Sequence, residues 1–416
     1  MKGEIIYQIF PDRFNKSRQN NNVEGLKEWE SEVDGQCVMG GDLIGIKEKL
    51  DYLSKLGVSA IYLNPIFQAN SNHKYDTVNY YNIDSSFGTL DDFRELVDSC
   101  HKKNIKVIID GVFNHTSPDF FAFKDILENQ ERSKYKDWYT IFSYPVKVEI
   151  PPNYRNFGGC IDMPRLNTEN VEVQKYIVDV IKYWEGMKID GLRLDVPYYI
   201  EDSMLEKIRK STSLYIVGEI WGCGKKFVPQ YFDGVMNYSF RDLVQKAVIR
   251  QSIDASIFID EWNFIEETYG QNIHCCFNMS GSHDTERIFN FCRGDIKREK
   301  LFYAFLFLFP GMPLVYYGDE IGMKGENDPY CRGTMEWNES KWNYDIYNHV
   351  KGLIELRNSS EALQKGTIQF VGHKEMMFAF ERVYGEKRVK VFMNFGHSKQ
   401  SIDGFELDGL SYKVIV

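Results

Sequence analysis

Short apolar runs alternate with amphipathic stretches along most of this chain, and that alternation limits its possible folds more than any other feature. Strand-like runs lie at Glu4–Ile9, Ala60–Leu63, Lys106–Val112, Gly191–Val196, Leu214–Ile220, Gly234–Tyr238, His274–Asn278 and Leu314–Gly318. Helical spacing marks Ile44–Leu56, which stops at Gly57, and Leu90–Lys103, with Phe93, Leu96 and Val97 on one face and Thr89 as N-cap. It recurs at Val171–Met187, Met204–Lys210, Phe240–Gln251, Lys297–Phe309 and near Ile346–Arg357. Continuous apolar strands separated by helices indicate a parallel sheet covered on both faces. Eight of them over this span predict an α/β fold closed as a (β/α)8 TIM barrel rather than an open sheet.

Two segments break the alternation. Asn114–Asn167 is rich in Pro, Asn, Tyr and Phe, has no sustained period, and is too long for a simple loop. It reads as a small inserted domain after strand three. Beyond about Gln364 the pattern turns to period two, as in Met377–Glu381 and Val389–Met393, which predicts a C-terminal antiparallel β domain. The expected division is 1–114 and 168–363 for the barrel, 115–167 for the insertion and 364–416 for the β domain. The 416 residues fit that count at about 150 residues per domain.

Composition excludes several roles. A net charge of −10 argues against nucleic acid or an anionic membrane as the main partner. Leu301–Gly318 carries no charge, but Pro310, Gly311 and Pro313 interrupt it, so it reads as a buried helix followed by a buried strand. The N-terminus shows no signal-peptide pattern, and the eight cysteines are scattered without a CxxC pair; both point to a cytoplasmic chain with free thiols. HExxH and GxxxxGK[ST] are absent. Aromatics make up 15% of the residues, and most of them, including Trp138, Trp184 and Trp337, read as packing.

A (β/α)8 barrel carries its active site at the C-terminal ends of the strands. There strand three ends in Asp110-Gly-Val-Phe-Asn-His115, strand four contains Arg193 and Asp195, strand five ends at Glu219-Ile-Trp221, and Ser282-His283-Asp284 follows strand seven. Three acids after strands four, five and seven point into one mouth from different directions. A carboxylate pair of this kind can divide the work of nucleophile and acid/base. Arg193 precedes Asp195 by two residues and shares its side of the strand, which predicts an ionised Asp195. Glu219 has no base within two positions and is followed by Ile220 and Trp221, which suits a raised pKa. Asp284 could bind sugar hydroxyls and favour a distorted ring; His115 and His283 could donate to the same hydroxyls.

At these residues the sequence resembles the α-amylase family of glycoside hydrolases. The likeness also covers Tyr7–Phe14, Lys74-Tyr-Asp76, Tyr80–Asp84 and Tyr316–Gly322. It implies Asp195 as nucleophile, Glu219 as acid/base and Asp284 as transition-state stabiliser. It further implies Tyr75, Asp76, His115, Arg193 and His283 as ligands of the sugar at the cleavage point, with Tyr75 stacked on the ring. Trp221 belongs in the same cleft, and Arg332 reaches it from a long loop. Met163–Asn167, Gly218–Trp221, Phe232–Tyr238 and Asn327–Arg332 look like the neopullulanase, cyclomaltodextrinase and maltogenic amylase branch.

The sequence departs from that branch at several points. The barrel begins almost at residue 1, without the branch's usual N-terminal β-sandwich, so a monomer or weak oligomer is expected. Val196-Pro-Tyr-Tyr199 replaces the usual Ala and Glu after the nucleophile, and Lys74 stands where a Gly is usual. Asn15–Asn22, where relatives carry an acidic calcium loop, has no Asp or Glu, although Asp42 remains. No metal ligand is assigned and no cofactor is required, while calcium stays open.

The expected function is a retaining hydrolase of α-1,4-glucosidic bonds in maltooligosaccharides, cyclodextrins, pullulan or starch, with some glycosyl transfer. The alternatives are an α-1,6-acting glucosidase, a glucanotransferase, or a non-catalytic binding protein on the same scaffold. His101 and His349 have no partner pattern, and Asp319-Glu320 reads as a structural anchor.

Overall fold

The computed structural model describes residues 1–17 and 25–416. Its centre is an eight-stranded parallel sheet. The strands are β1 (Ile6–Ile9), β2 (Ala60–Leu63), β3 (Lys106–Gly111), β4 (Gly191–Leu194), β5 (Tyr215–Gly218), β6 (Gly234–Val235), β7 (Phe277–Met279) and β8 (Met312–Tyr316). They pair in the order β6-β5-β4-β3-β2-β1-β8-β7, and a parallel bridge between Met236 and Phe277 joins the two ends. The sheet is therefore closed, as the alternation predicts.

The helices named below are α1 (Leu90–Lys102), α2 (Val171–Gly186), α3 (Asp202–Ser211), α4 (Tyr238–Val244), α5 (Ala255–Tyr269), α6 (Ile296–Leu308) and α7 (Tyr344–Ser359). Thr89 caps α1 in a reciprocal capping box with Asp92. The helix expected over Ile44–Leu56 is two pieces, Leu43–Glu48 and Leu50–Leu56, joined at Lys49; the second ends at Gly57, whose φ of 93° suits glycine. The strand expected over Gly234–Tyr238 stops at Val235 because Asn237 caps α4 by accepting from Phe240 N. The stretch His274–Asn278 begins in a 3-10 turn, Gly270–Cys275, and only Phe277–Met279 is strand. Helix α5 goes unread in the sequence, although Phe258, Trp262, Ile265 and Tyr269 bury one face of it at helical spacing.

Alternation along the strands sorts side chains into two cores. One residue set, including Ile5, Tyr7, Ile9, Ile61, Leu63, Val107 and Ile109, packs outward against the helices. The other set, Ile6, Ala60, Tyr62, Ile108, Val217, Phe277 and Leu314 among them, fills the lumen. Two residues further along each strand, the lumen-facing positions become Gln8, Asn64, Asp110, Arg193 and Glu219. The inside of the barrel is thus apolar at its base and polar at its mouth.

Between β3 and α2 the chain forms a helix, Phe121–Asn129, and a hairpin, Asn156–Phe157 with Cys160–Pro164. After α7 and a short helix, Glu361–Lys365, strands β9 (Thr367–Lys374), β10 (Met377–Tyr384), β11 (Lys387–Asn394) and β14 (Ser411–Ile415) form an antiparallel sheet. A hairpin of β12 (Gln400–Ile402) and β13 (Phe405–Leu407) lies against it. The uncharged stretch after Leu301 is the buried part of α6 followed by β8. Among the described residues no helix is long and apolar enough to cross a membrane. Trp138 and Trp184 are buried, donating to Glu172 and to Tyr80 O, and Trp337 donates to Phe14 O. Glu320 accepts from Tyr7 and Tyr52, and Asp319 pairs with Arg287, so both acids anchor the chain after β8.

Candidate active site

The register of β3 against β4 sets Asp110 directly beside Arg193. Arg193 Nη1 donates to Asp110 at 2.9 and 3.1 Å and to Asp195 Oδ1 at 2.8 Å, while Nη2 lies 2.9 Å from Glu219 Oε2. Arg193 is fully buried beneath these acids. It is therefore not positioned as a direct ligand of a sugar, as the resemblance implies; it is the cation on which the floor of the cleft is built. Tyr62 and Tyr75 hydroxyls donate to Asp110 Oδ2 at 2.7 and 3.0 Å.

The expectation that Arg193 keeps Asp195 ionised meets an opposing effect, the burial of that carboxyl. Glu219 does have a basic neighbour, Arg193, contributed by the adjacent strand. Burial pushes the Asp195 carboxyl up, Arg193 opposes this, and the nearby charges of Glu219 and Asp110 add to the rise. Asp110 is likewise raised, chiefly by burial. Three carboxyls around one guanidinium would leave two uncompensated negative charges in a buried place, so the cluster favours retaining a proton. That is the condition an acid/base pair needs.

Backbone geometry finishes the floor. Val196 adopts φ 35°, ψ 52°, a left-handed turn unusual for a β-branched residue. It aims Val196 N at Glu219 Oε2, 3.1 Å away, and Trp221 Nε1 donates to Glu219 Oε1 at 3.0 Å. Trp221 stacks on Tyr238 with ring centroids 4.0 Å apart.

Asp284 faces this pair from the loop after β7. Arg332 Nη2 donates to Asp284 Oδ1 at 3.2 Å and Arg332 Nε to His283 O at 2.8 Å. Burial, with Glu219 nearby, pushes Asp284 up to about 7 against the pull of Arg332 and Arg193. His283 stacks parallel to Tyr75 at 5.4 Å, and its Nε2–H donates to the Tyr75 hydroxyl oxygen, 2.7 Å away. Its Nδ1 lies 3.0 Å from both Gln8 Nε2 and Asn64 Nδ2, whose N–H groups fix it as an acceptor. Burial lowers His115 to about 3 and His73 to about 4, and lowers His283 as well. These imidazoles are neutral at ordinary pH and serve as hydrogen-bonding groups.

One cavity of about 310 Å³ is lined by Asp195, Glu219 and Asp284 together with Tyr75, His115, Trp221, His283 and Arg332. Asp76 is not in that lining. It is buried in the loop behind Tyr75, accepting from Asn70 N, Ser71 N and the Ser71 hydroxyl, and so holds the loop that presents Tyr75. The cavity also includes His73 and Phe157, which sequence reasoning did not single out, and Met163, Tyr198 and Asp328, which it named only as parts of longer motifs. Phe157 stacks on His115 at 4.8 Å, bringing the hairpin of the inserted segment onto the cleft. Lumen parity could have flagged Asp110, two residues beyond apolar Ile108 on the same side of β3.

Part of Asn15–Asn22 lies outside the described residues. Asp42 accepts from Gly45 N at 2.6 Å and from Ser17 N and Oγ at 3.2 and 2.8 Å, so helix capping occupies its carboxylate. Among the described residues no group of three or more His, Cys, Asp or Glu side chains could hold a metal ion.

The family model for the α-amylase catalytic domain matches residues 8–351, which span the barrel and all these groups. The chain belongs to the α-amylase family. Relatives of this α-amylase-family chain carry names from the branch its motifs resemble. The cyclomaltodextrinase of Thermoanaerobacter pseudethanolicus is 42% identical, over 97% of this chain and 72% of its own. Neopullulanase 2 of Thermoactinomyces vulgaris is 38% identical, over 96% and 71%. Among solved structures, the cyclic α-maltosyl-(1→6)-maltose hydrolase of Arthrobacter globiformis superposes with a TM-score of 0.95 at 34% identity, covering 99% of this chain and 98% of its own.

Proposed function

We propose that this chain is a retaining hydrolase of α-1,4-glucosidic bonds in starch-derived oligosaccharides and cyclodextrins, with some transfer to sugar acceptors. The observation that carries this reading is the convergence of Asp195, Glu219 and Asp284 on one cleft, with Arg193 bound beneath two of them. Asp195 attacks the anomeric carbon while Glu219 protonates the departing glycosidic oxygen. Glu219 then takes a proton from water, which attacks the same carbon and releases Asp195. Asp284, held by Arg332, orients sugar hydroxyls and favours the distorted ring. Tyr75, braced by His283 and Asp110, offers its ring to the sugar at the cleavage point. His115 and His283 contribute hydrogen bonds as neutral groups.

In this reading the barrel, 1–114 with 168–363, carries the acids, the insertion 115–167 forms one wall of the cleft, and 364–416 is the β domain, packed against α5 and α6. The chain acts in the cytoplasm, in keeping with a relative named intracellular maltogenic amylase in Bacillus subtilis, 39% identical over 98% of this chain. It works as a monomer or weak oligomer.

Purified protein should release products from maltotriose, cyclodextrin, pullulan and soluble starch. Turnover of none of them by folded protein overturns the reading. Glu219→Gln should lose about 10²- to 10⁴-fold in rate on these glucans, while the first-turnover release of fluoride from an α-glucosyl fluoride, whose leaving group needs no proton, is largely kept. Equal loss on both substrates would remove Glu219 from the acid role.

A second reading is favoured by the likeness to the Arthrobacter enzyme, whose name places a (1→6) bond in its substrate. Product analysis on panose against maltotriose separates α-1,6 from α-1,4 cleavage.

A further inference from the structure

The Trp221 ring belongs to two hollows at once. One is the cleft of the three acids; the other is a separate cavity of about 520 Å³ between α4 and α5. That volume lies within the roughly 300–1,000 Å³ of small-molecule sites. Asp260, Glu261, Phe264, Ile265 and Thr268 follow each other at helical spacing and present one face of α5 to it. Lys246, two residues beyond α4, bridges Asp242 at 3.2 Å and Glu261 at 2.9 Å, so an ion-paired crosslink joins the two sides.

The lining mixes what a sugar chain binds: flat rings for its apolar faces, carboxylates and hydroxyls for its edges. Phe264 is 63% exposed and Trp221 47%. A single exposed ring needs no explanation. Two large aromatics in one groove, with Trp221 hydrogen-bonded to Glu219, are a different matter.

We propose that this groove is a remote binding site for the leaving-group side of a long α-glucan. The inference rests on the proposed function, since the acid Glu219 marks where the leaving group departs and Trp221 lies on that side. The chain passes over Trp221 and continues along α5, with Phe264 as its outer platform. Short substrates fill only the cleft of the acids; long ones use both.

Phe264→Ala is the direct test, because the side chain is largely exposed and its removal leaves the core intact. The value of kcat/KM on maltotriose should stay within about twofold, while that on soluble amylose falls about three- to tenfold, the worth of one stacked ring. Equal loss on both substrates, or loss on neither, overturns the proposal. Failure to turn over any α-glucan, by the unmodified enzyme, would instead overturn the proposed function.

Cys223 gives a second readout without turnover. It lines the groove, and Cys223 and Cys160 are the exposed thiols of the eight. In a Glu219→Gln, Cys160→Ser background, amylose should slow alkylation of Cys223 and maltotriose should not. Equal protection by both, or protection by neither, counts against the groove.

Discussion

Arg193 touches both Asp195 and Glu219, through Nη1 at 2.8 Å and Nη2 at 2.9 Å, so the proposed nucleophile and acid share one counter-ion. Their spacing and their titration are therefore coupled through a group that does not itself line the cleft. Removing that charge leaves buried acids without a cation. Arg193→Met should abolish turnover and lower stability by about 3–5 kcal/mol, read from denaturant unfolding. Arg193→Lys keeps the charge but loses the two-pronged geometry, and should retain stability better than activity. Wild-type turnover in either variant would refute the shared-cation account.

Glu299 provides a test away from the cleft. It lies on α6, fully buried, with no hydrogen-bond partner for either carboxyl oxygen among the described residues. Burial, with Asp319 nearby, pushes it up to about 8 from an ordinary 4.5. The folded state therefore holds this proton more tightly than the unfolded chain does. Its contribution to stability is full below about pH 4.5 and is lost as pH rises through about 8. Glu299→Gln cannot ionise, so its melting temperature should exceed wild type at pH 9, by the equivalent of about 2–4 kcal/mol, and match it near pH 4. A gain of the same size at both pH values would show that ionisation is not the cause.

Lys74 stands before Tyr75 in a left-handed conformation, φ 64°, with its ammonium 3.1 Å from buried Asp84 and over the Phe87 ring. Asp84 also accepts from Ala69 N, tying down the hairpin that leads to Tyr75. Lys74→Met should destabilise by about 1–3 kcal/mol through the lost ion pair. Lys74→Gly should cost about 1 kcal/mol less, because glycine relieves the backbone strain. Thermal unfolding of both variants decides this; Gly as costly as Met would mean that the turn is unstrained.

The barrel was legible because buried parallel strands must be apolar and must alternate with helices, so their pattern survives in one dimension. The acids were legible because they sit directly at strand ends. What escaped was contact across strands. Glu219 reads as isolated from bases along the chain, yet Arg193 reaches it from the neighbouring strand. Asp76 reads as a ligand beside Tyr75, but adjacent residues in a tight loop face opposite ways, and it points into the hairpin. Helix α5 was missed although its buried face repeats at the right interval, because its exposed side carries Ile257 and Phe264 and blurs the contrast. Those departures from amphipathicity mark the outer groove.

The division of each strand into an apolar base and a polar mouth makes the site a matter of counting. Arg193 and Asp195 face the lumen because they lie two and four residues after Gly191. One residue gained or lost within Gly191–Leu194 would turn every later side chain to the opposite face and send the proposed nucleophile among the helices. Substitutions can adjust this cleft and loops can lengthen around it, but the strands beneath it cannot change their number of residues and still deliver the same chemistry.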